Sequence, residues 1–132
     1  MIVRIPNLHM GYFTFNDPTL LLAGDRPAAD ALSKLIQSGE PFCIEGDVGE
    51  QPISLTFSRS AKPSRQSEQG GRFTFTLDEE LATEFFEKLR HIHLSDCPCH
   101  DYLDPEINET PVTIVVSLEE YSFEWLKRAS TT

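Results

Sequence analysis

Three of the four histidines and two of the three cysteines of this chain fall in one short run, His91-Ile92-His93-Leu94-Ser95-Asp96-Cys97-Pro98-Cys99-His100. Thiolates and imidazoles are what zinc selects, taking four such ligands at tetrahedral corners. Cys97, Cys99, His93 and His100 offer a Cys2His2 set from one stretch, and Asp96 and Asp101 could orient an imidazole by accepting its other N–H. The spacing argues the other way. Structural zinc sites bring ligands from two knuckles, with two to four residues between paired cysteines. Here a single proline separates the pair, Cys99 adjoins His100, and Cys43 and His9 stand alone elsewhere.

The cysteine pair also invites a redox reading, with a neighbouring imidazole lowering a thiol pKa. The thioredoxin-like motif, however, has two residues between its cysteines. Cys99-His100-Asp101 names the groups of a nucleophilic triad, but such groups meet in space rather than in sequence. Ordinary roles account for the same residues: histidines suit the negative end of a helix, and cysteines pack as small apolar side chains beside a proline turn. The expectation is therefore no cofactor, with a zinc site at His93, Cys97, Cys99 and His100 as the alternative.

The segment that follows, Asp101 to Glu109, interleaves acids with apolar anchors. Asp101, Asp104, Glu106 and Glu109 would steer a basic partner and reject acidic ones, while Tyr102 would supply buried area. A solvated loop packed on its own domain is the plainer reading of the same residues. The four basic residues Arg59, Lys62, Arg65 and Arg72 surround a polar stretch and could touch an anion; an exposed hairpin tip is the default for such a composition. No HExxH, GxSxG, Walker loop or dinucleotide fingerprint is present.

Charge sharpens the partner class. The chain has 132 residues and a formal charge of −10. Residues 1–66 hold six basic and seven acidic side chains, residues 67–132 five and fourteen, so the second half carries −9 of the −10. A phosphate backbone would be repelled, so nucleic acid is not an expected partner. The longest apolar run, Val112 to Leu118, is strand-sized, which leaves no membrane span. Nor does the N-terminus show a charged region followed by an apolar one, and three cysteines make an odd set for a disulfide framework, so a cytoplasmic protein is expected.

These residues must be positioned by elements that the pattern suggests. Asp25, Pro27 and Gly39 punctuate an amphipathic helix, and Thr76-Leu77-Asp78-Glu79 reads as a capping box for a second, over about Leu77 to His91. Ser117-Leu118-Glu119-Glu120 reads as a third cap, opening a helix with Tyr121, Trp125 and Leu126 facing inward. Strands are suggested at Ile2–Ile5, Tyr12–Phe15, Phe42–Glu45, Ile53–Ser58, Arg72–Thr76 and Thr113–Val116, the last nearly wholly apolar and hence central. Ser60 to Gly71 reads as a polar hairpin loop, and Leu94 to Pro111 shows no period. The expectation is one α+β domain: an antiparallel sheet of four to six strands with about three helices mainly on one face. Its expected function is non-enzymatic binding of a basic protein, in the manner of an inhibitor or toxin-immunity protein.

Overall fold

The computed structural model describes residues 2–13, 18–46, 48, 52–95, 97–103 and 113–119. The chain is α+β, but with two mixed sheets rather than one antiparallel sheet. One sheet has five strands, β1 (Ile2–Val3), β4 (Phe42–Glu45), β5 (Ser54–Arg59), β6 (Arg65–Gln69) and β7 (Arg72–Leu77), in the order β1-β4-β5-β7-β6. The other has four, β2 (His9–Phe13), β3 (Thr19–Gly24), β8 (Cys99–Leu103) and β9 (Thr113–Leu118), in the order β2-β3-β9-β8. The pairs β1–β4, β5–β7 and β3–β9 are parallel and the rest antiparallel. Side-chain alternation is the same in either direction, so it could not have distinguished them.

Among the described residues there are two helices, α1 (Arg26–Ser38) and α2 (Glu79–His93). Asp25 caps α1 by accepting from the Ala28 N–H at 2.9 Å, and Gly39 closes it with φ +79°, a left-handed conformation that suits glycine. Asp78, not Thr76, caps α2, its Oδ1 accepting from the Leu81 N–H at 2.8 Å, because Thr76 and Leu77 are still paired in β7. Ser117 and Leu118 likewise belong to β9, opposite Ala23 and Gly24 of β3, so the third cap is not at Ser117. Tyr121, Trp125 and Leu126 lie outside the described residues. Neither described helix is long and apolar enough to cross a membrane.

Both sheets and both helices feed one continuous core. Ala28, Leu32 and Ile36 of α1 meet it, as do Ala82, Phe85, Leu89 and Ile92 of α2. Phe57 stands at its centre, tilted against Phe42 at 5.4 Å and Phe75 at 6.0 Å, with Phe85 edge-on at 6.5 Å. Tyr12 joins the sheets directly through Phe73, at 5.2 Å. Each buried ring or aliphatic side chain here contributes roughly 1.5–3 kcal/mol.

Three strands escaped the sequence pattern, each for a physical reason. Thr19–Gly24 does not alternate because both of its faces are buried: Leu20 and Leu22 enter the main core, Leu21 and Ala23 a smaller cluster with Phe13 and Val48. Arg65–Gln69 lies within the expected loop; it is a wholly polar edge strand. Gly70 and Gly71, with φ +58° and +84°, turn it into β7 with the two-residue geometry that matches strand twist. Cys99–Leu103 is likewise an edge strand, of the other sheet, and only Leu103 in it is buried.

Candidate functional site

The His/Cys run begins on the last turn of α2, which a cluster of charges ties to α1. His93 is half-buried, with Nδ1 3.0 Å from the backbone carbonyl of Arg26, so that nitrogen is the donor; Nε2 faces Asp30 at 3.8 Å. Asp30 also takes Lys34 at 2.9 Å and Arg90 at 3.9 Å. The hydrogen bond from Lys34 holds the Asp30 carboxyl below its ordinary value, helped by the charges of Lys34, His93 and Arg90 and opposed by partial desolvation. The i,i+4 spacing of Asp30 and Lys34 on a helix is the one sequence signal that could have pointed to this cluster.

Arg26 adds a second tie. Its Nε and Nη2 both donate to the carbonyl of Ser95, at 2.9 and 2.6 Å, and its Nη1 reaches Glu119 at 3.5 Å. One guanidinium thus joins the start of α1, the exit from α2 and the end of β9. Ser95 then braces the turn into the cysteines: its hydroxyl donates to the Cys97 carbonyl at 3.0 Å and accepts from the Cys97 N–H at 3.4 Å.

Beyond that turn the chain is extended, and alternation separates the candidate ligands. Cys99 lies opposite Leu118 and packs against the core, half-buried, whereas His100 lies opposite Ser117 on the other face of the sheet. Cys97 is exposed, and all three cysteines are free thiols. His93 is engaged with α1. The strand and the helix therefore do not bring His93, Cys97, Cys99 and His100 together, and among the described residues no group of three His, Cys, Asp or Glu is placed to hold a metal ion.

What the strand does bring together is His100 and Tyr102, both exposed on one face, with rings edge-on at 5.7 Å. Tyr102 is 51% exposed. Its backbone is not free at the sheet edge: the N–H donates to the carboxylate of Asp101 at 2.7 Å, and the carbonyl accepts from Lys88 Nζ at 2.8 Å. Since neither group joins the ladder to β9, both point outward, as alternate residues of an antiparallel edge strand must. Asp101 is half-buried. Asp104, Glu106 and Glu109 lie outside the described residues.

No protein-family model matches the chain, and no curated protein matches it. Seventeen solved chains do. One is Drosophila Suppressor of Fused, at 18% identity and a TM-score of 0.45, over 89% of this chain and 27% of that one. The chain spans barely more than a quarter of that protein's length, and a likeness at this level says nothing of function.

Proposed function

We propose that the protein is a non-enzymatic binding protein whose acidic second half engages a basic protein, as an inhibitor or immunity-type protein does. One observation carries the reading: a half-exposed Tyr102, buttressed by the His100 ring, opens the acidic run from Asp101 to Glu109 at the edge of a sheet. Tyrosine offers a large contact area with little conformational entropy to lose, and surrounding carboxylates accelerate encounter with a basic surface. Because Asp101 and Lys88 occupy the outward backbone groups of Tyr102, the partner would meet side chains here rather than add a strand. We place the protein in the cytoplasm, where its cysteines would remain thiols.

Affinity capture from the source cell, run in parallel with wild-type chain and an Asp104→Lys/Glu106→Lys variant, tests the reading. A basic protein retained by the first and lost by the second supports it. Equal retention by both, or retention of no basic protein, rejects it.

A further inference from the structure

The five-stranded sheet turns one face to the core and the other away from it. Register places Ser54, Thr56 and Ser58 of β5 beside Arg72, Thr74 and Thr76 of β7 on the outward face, all exposed or half-buried. Arg65, Ser67 and Gln69 of β6 extend that face to the sheet edge. The alternate side chains Leu55, Phe57, Phe73 and Phe75 are buried on the other side. The outer surface is thus a flat field of hydroxyls, with the Ser58 and Thr76 oxygens 3.3 Å apart.

Two guanidinium groups bracket this field. Arg72 pairs with Gln69, four residues from Arg65, so the two arginines stand about 14 Å apart along the strands, one on each of the adjacent β7 and β6. Both are exposed, and exposed Lys62 precedes β6. Register puts no carboxylate on this face of β5, β7 or β6; exposed Glu45 of β4 lies on the same face, opposite Ser54. Glu68 sits on the opposite face, where its Oε1 accepts from the Gly71 N–H at 3.0 Å. Across the sheet, Phe85 of α2 packs on Phe57, and exposed Glu79, Glu80, Glu84 and Glu87 lie on that far side. A chain of net charge −10 therefore presents, over β5, β7 and β6, a cationic part of a sheet face behind an acidic helix.

We propose that this face docks an extended acidic segment of another protein. Arg65 and Arg72 take two of its carboxylates in bidentate pairs, and the hydroxyls between them donate to its remaining polar groups. Residues four apart on an extended chain repeat at about 14 Å, matching the arginine separation. Charge complementarity selects an acidic occupant. Single-stranded nucleic acid is disfavoured because β4, β5, β7 and β6 place no aromatic ring on this face for bases to stack on. The docking face is separate from the Tyr102 edge and does not depend on the reading given to that edge.

The test is an NMR titration of the full chain with a Glu-rich extended peptide, its Gln counterpart and oligothymidylate, alongside sedimentation of the chain alone. The Glu-rich peptide is expected to shift amides of Ser54–Ser58, Arg65–Gln69 and Arg72–Thr76 and to leave the helices unchanged. Arg65→Glu/Arg72→Glu should weaken binding by roughly tenfold or more, while Arg65→Lys/Arg72→Lys keeps most of it. Absent shifts on the face, equal binding by the charge-reversed variant, tighter binding of the Gln peptide or of oligothymidylate, or self-association through this face would each overturn the proposal.

Discussion

Cys99 and His100 are consecutive in the chain, yet one side chain of the pair packs into the core and the other stands on the opposite face of the sheet beside Tyr102. That relationship follows from β8 being a strand, and it divides the most metal-like run in the sequence between two environments. The lysine-capped edge at Tyr102 and the arginine-clamped turn at Ser95 then define what the run does structurally: it carries the chain from α2 into the sheet.

Zinc titrated into the reduced protein is accordingly expected to leave its melting temperature unchanged. Cys97→Ser, at an exposed position, should alter stability by no more than about 0.5 kcal/mol, and Cys99→Ser, against the core, should cost on the order of 1 kcal/mol. Thermal melts with and without the metal decide the matter; a zinc-dependent rise that Cys97→Ser abolishes contradicts the placement.

Arg26 is the residue on which the α1–α2 junction turns. Arg26→Ala removes two charge-assisted bonds to the Ser95 carbonyl and is expected to cost about 1.5–3 kcal/mol in urea unfolding. Arg26→Lys should recover only part of this, because an ammonium cannot reproduce the paired donation and the reach to Glu119 together. A loss below about 0.5 kcal/mol for the alanine variant would show that the clamp adds little.

The ion cluster at Asp30 makes a signed prediction about acid. Its folded-state value lies below the ordinary 3.8, so its contribution to stability is present above that value and disappears as pH falls through the folded one. Asp30→Asn should therefore be less stable than wild type near neutrality, and the gap should close below about pH 4. Urea titrations at stepped pH check this; a gap that widens on acidification has the wrong sign.

Much of this architecture could be read from residue types, and the exceptions are instructive. The Asp25 cap with its Gly39 terminator, and the alternation of Leu55 and Phe57 against Thr56 and Ser58, were legible because local chemistry determines them. Thr19–Gly24 was not, since a strand buried on both faces loses its period, and Arg65–Gln69 was not, since an edge strand needs no apolar residue at all. The parallel pairings join residues as distant as Leu20 and Ile114, and nothing local encodes them. At the site, the clustering of His and Cys types was legible, while the Arg26–Ser95 tie could emerge only from the fold.

The glycine turn between β6 and β7 separates conformation from space. A Cβ at Gly70 meets nothing within 4 Å, but one at Gly71 would lie 2.7 Å from the Pro52 carbonyl. Both residues have positive φ, so Gly70→Ala should cost about 1 kcal/mol and Gly71→Ala clearly more. Equal losses in chemical denaturation would mean that the Pro52 contact relaxes freely.

The central claim, that the Tyr102 edge and its acidic run receive a basic protein, is tested most directly by association kinetics with the captured partner across a range of ionic strength. The account predicts a rate that falls steeply as salt rises, slows by tenfold or so in Asp104→Lys/Glu106→Lys, and becomes less sensitive to salt in that variant, while Tyr102→Ala chiefly speeds dissociation. A rate indifferent to both salt and charge reversal, with unchanged dissociation in Tyr102→Ala, would contradict it.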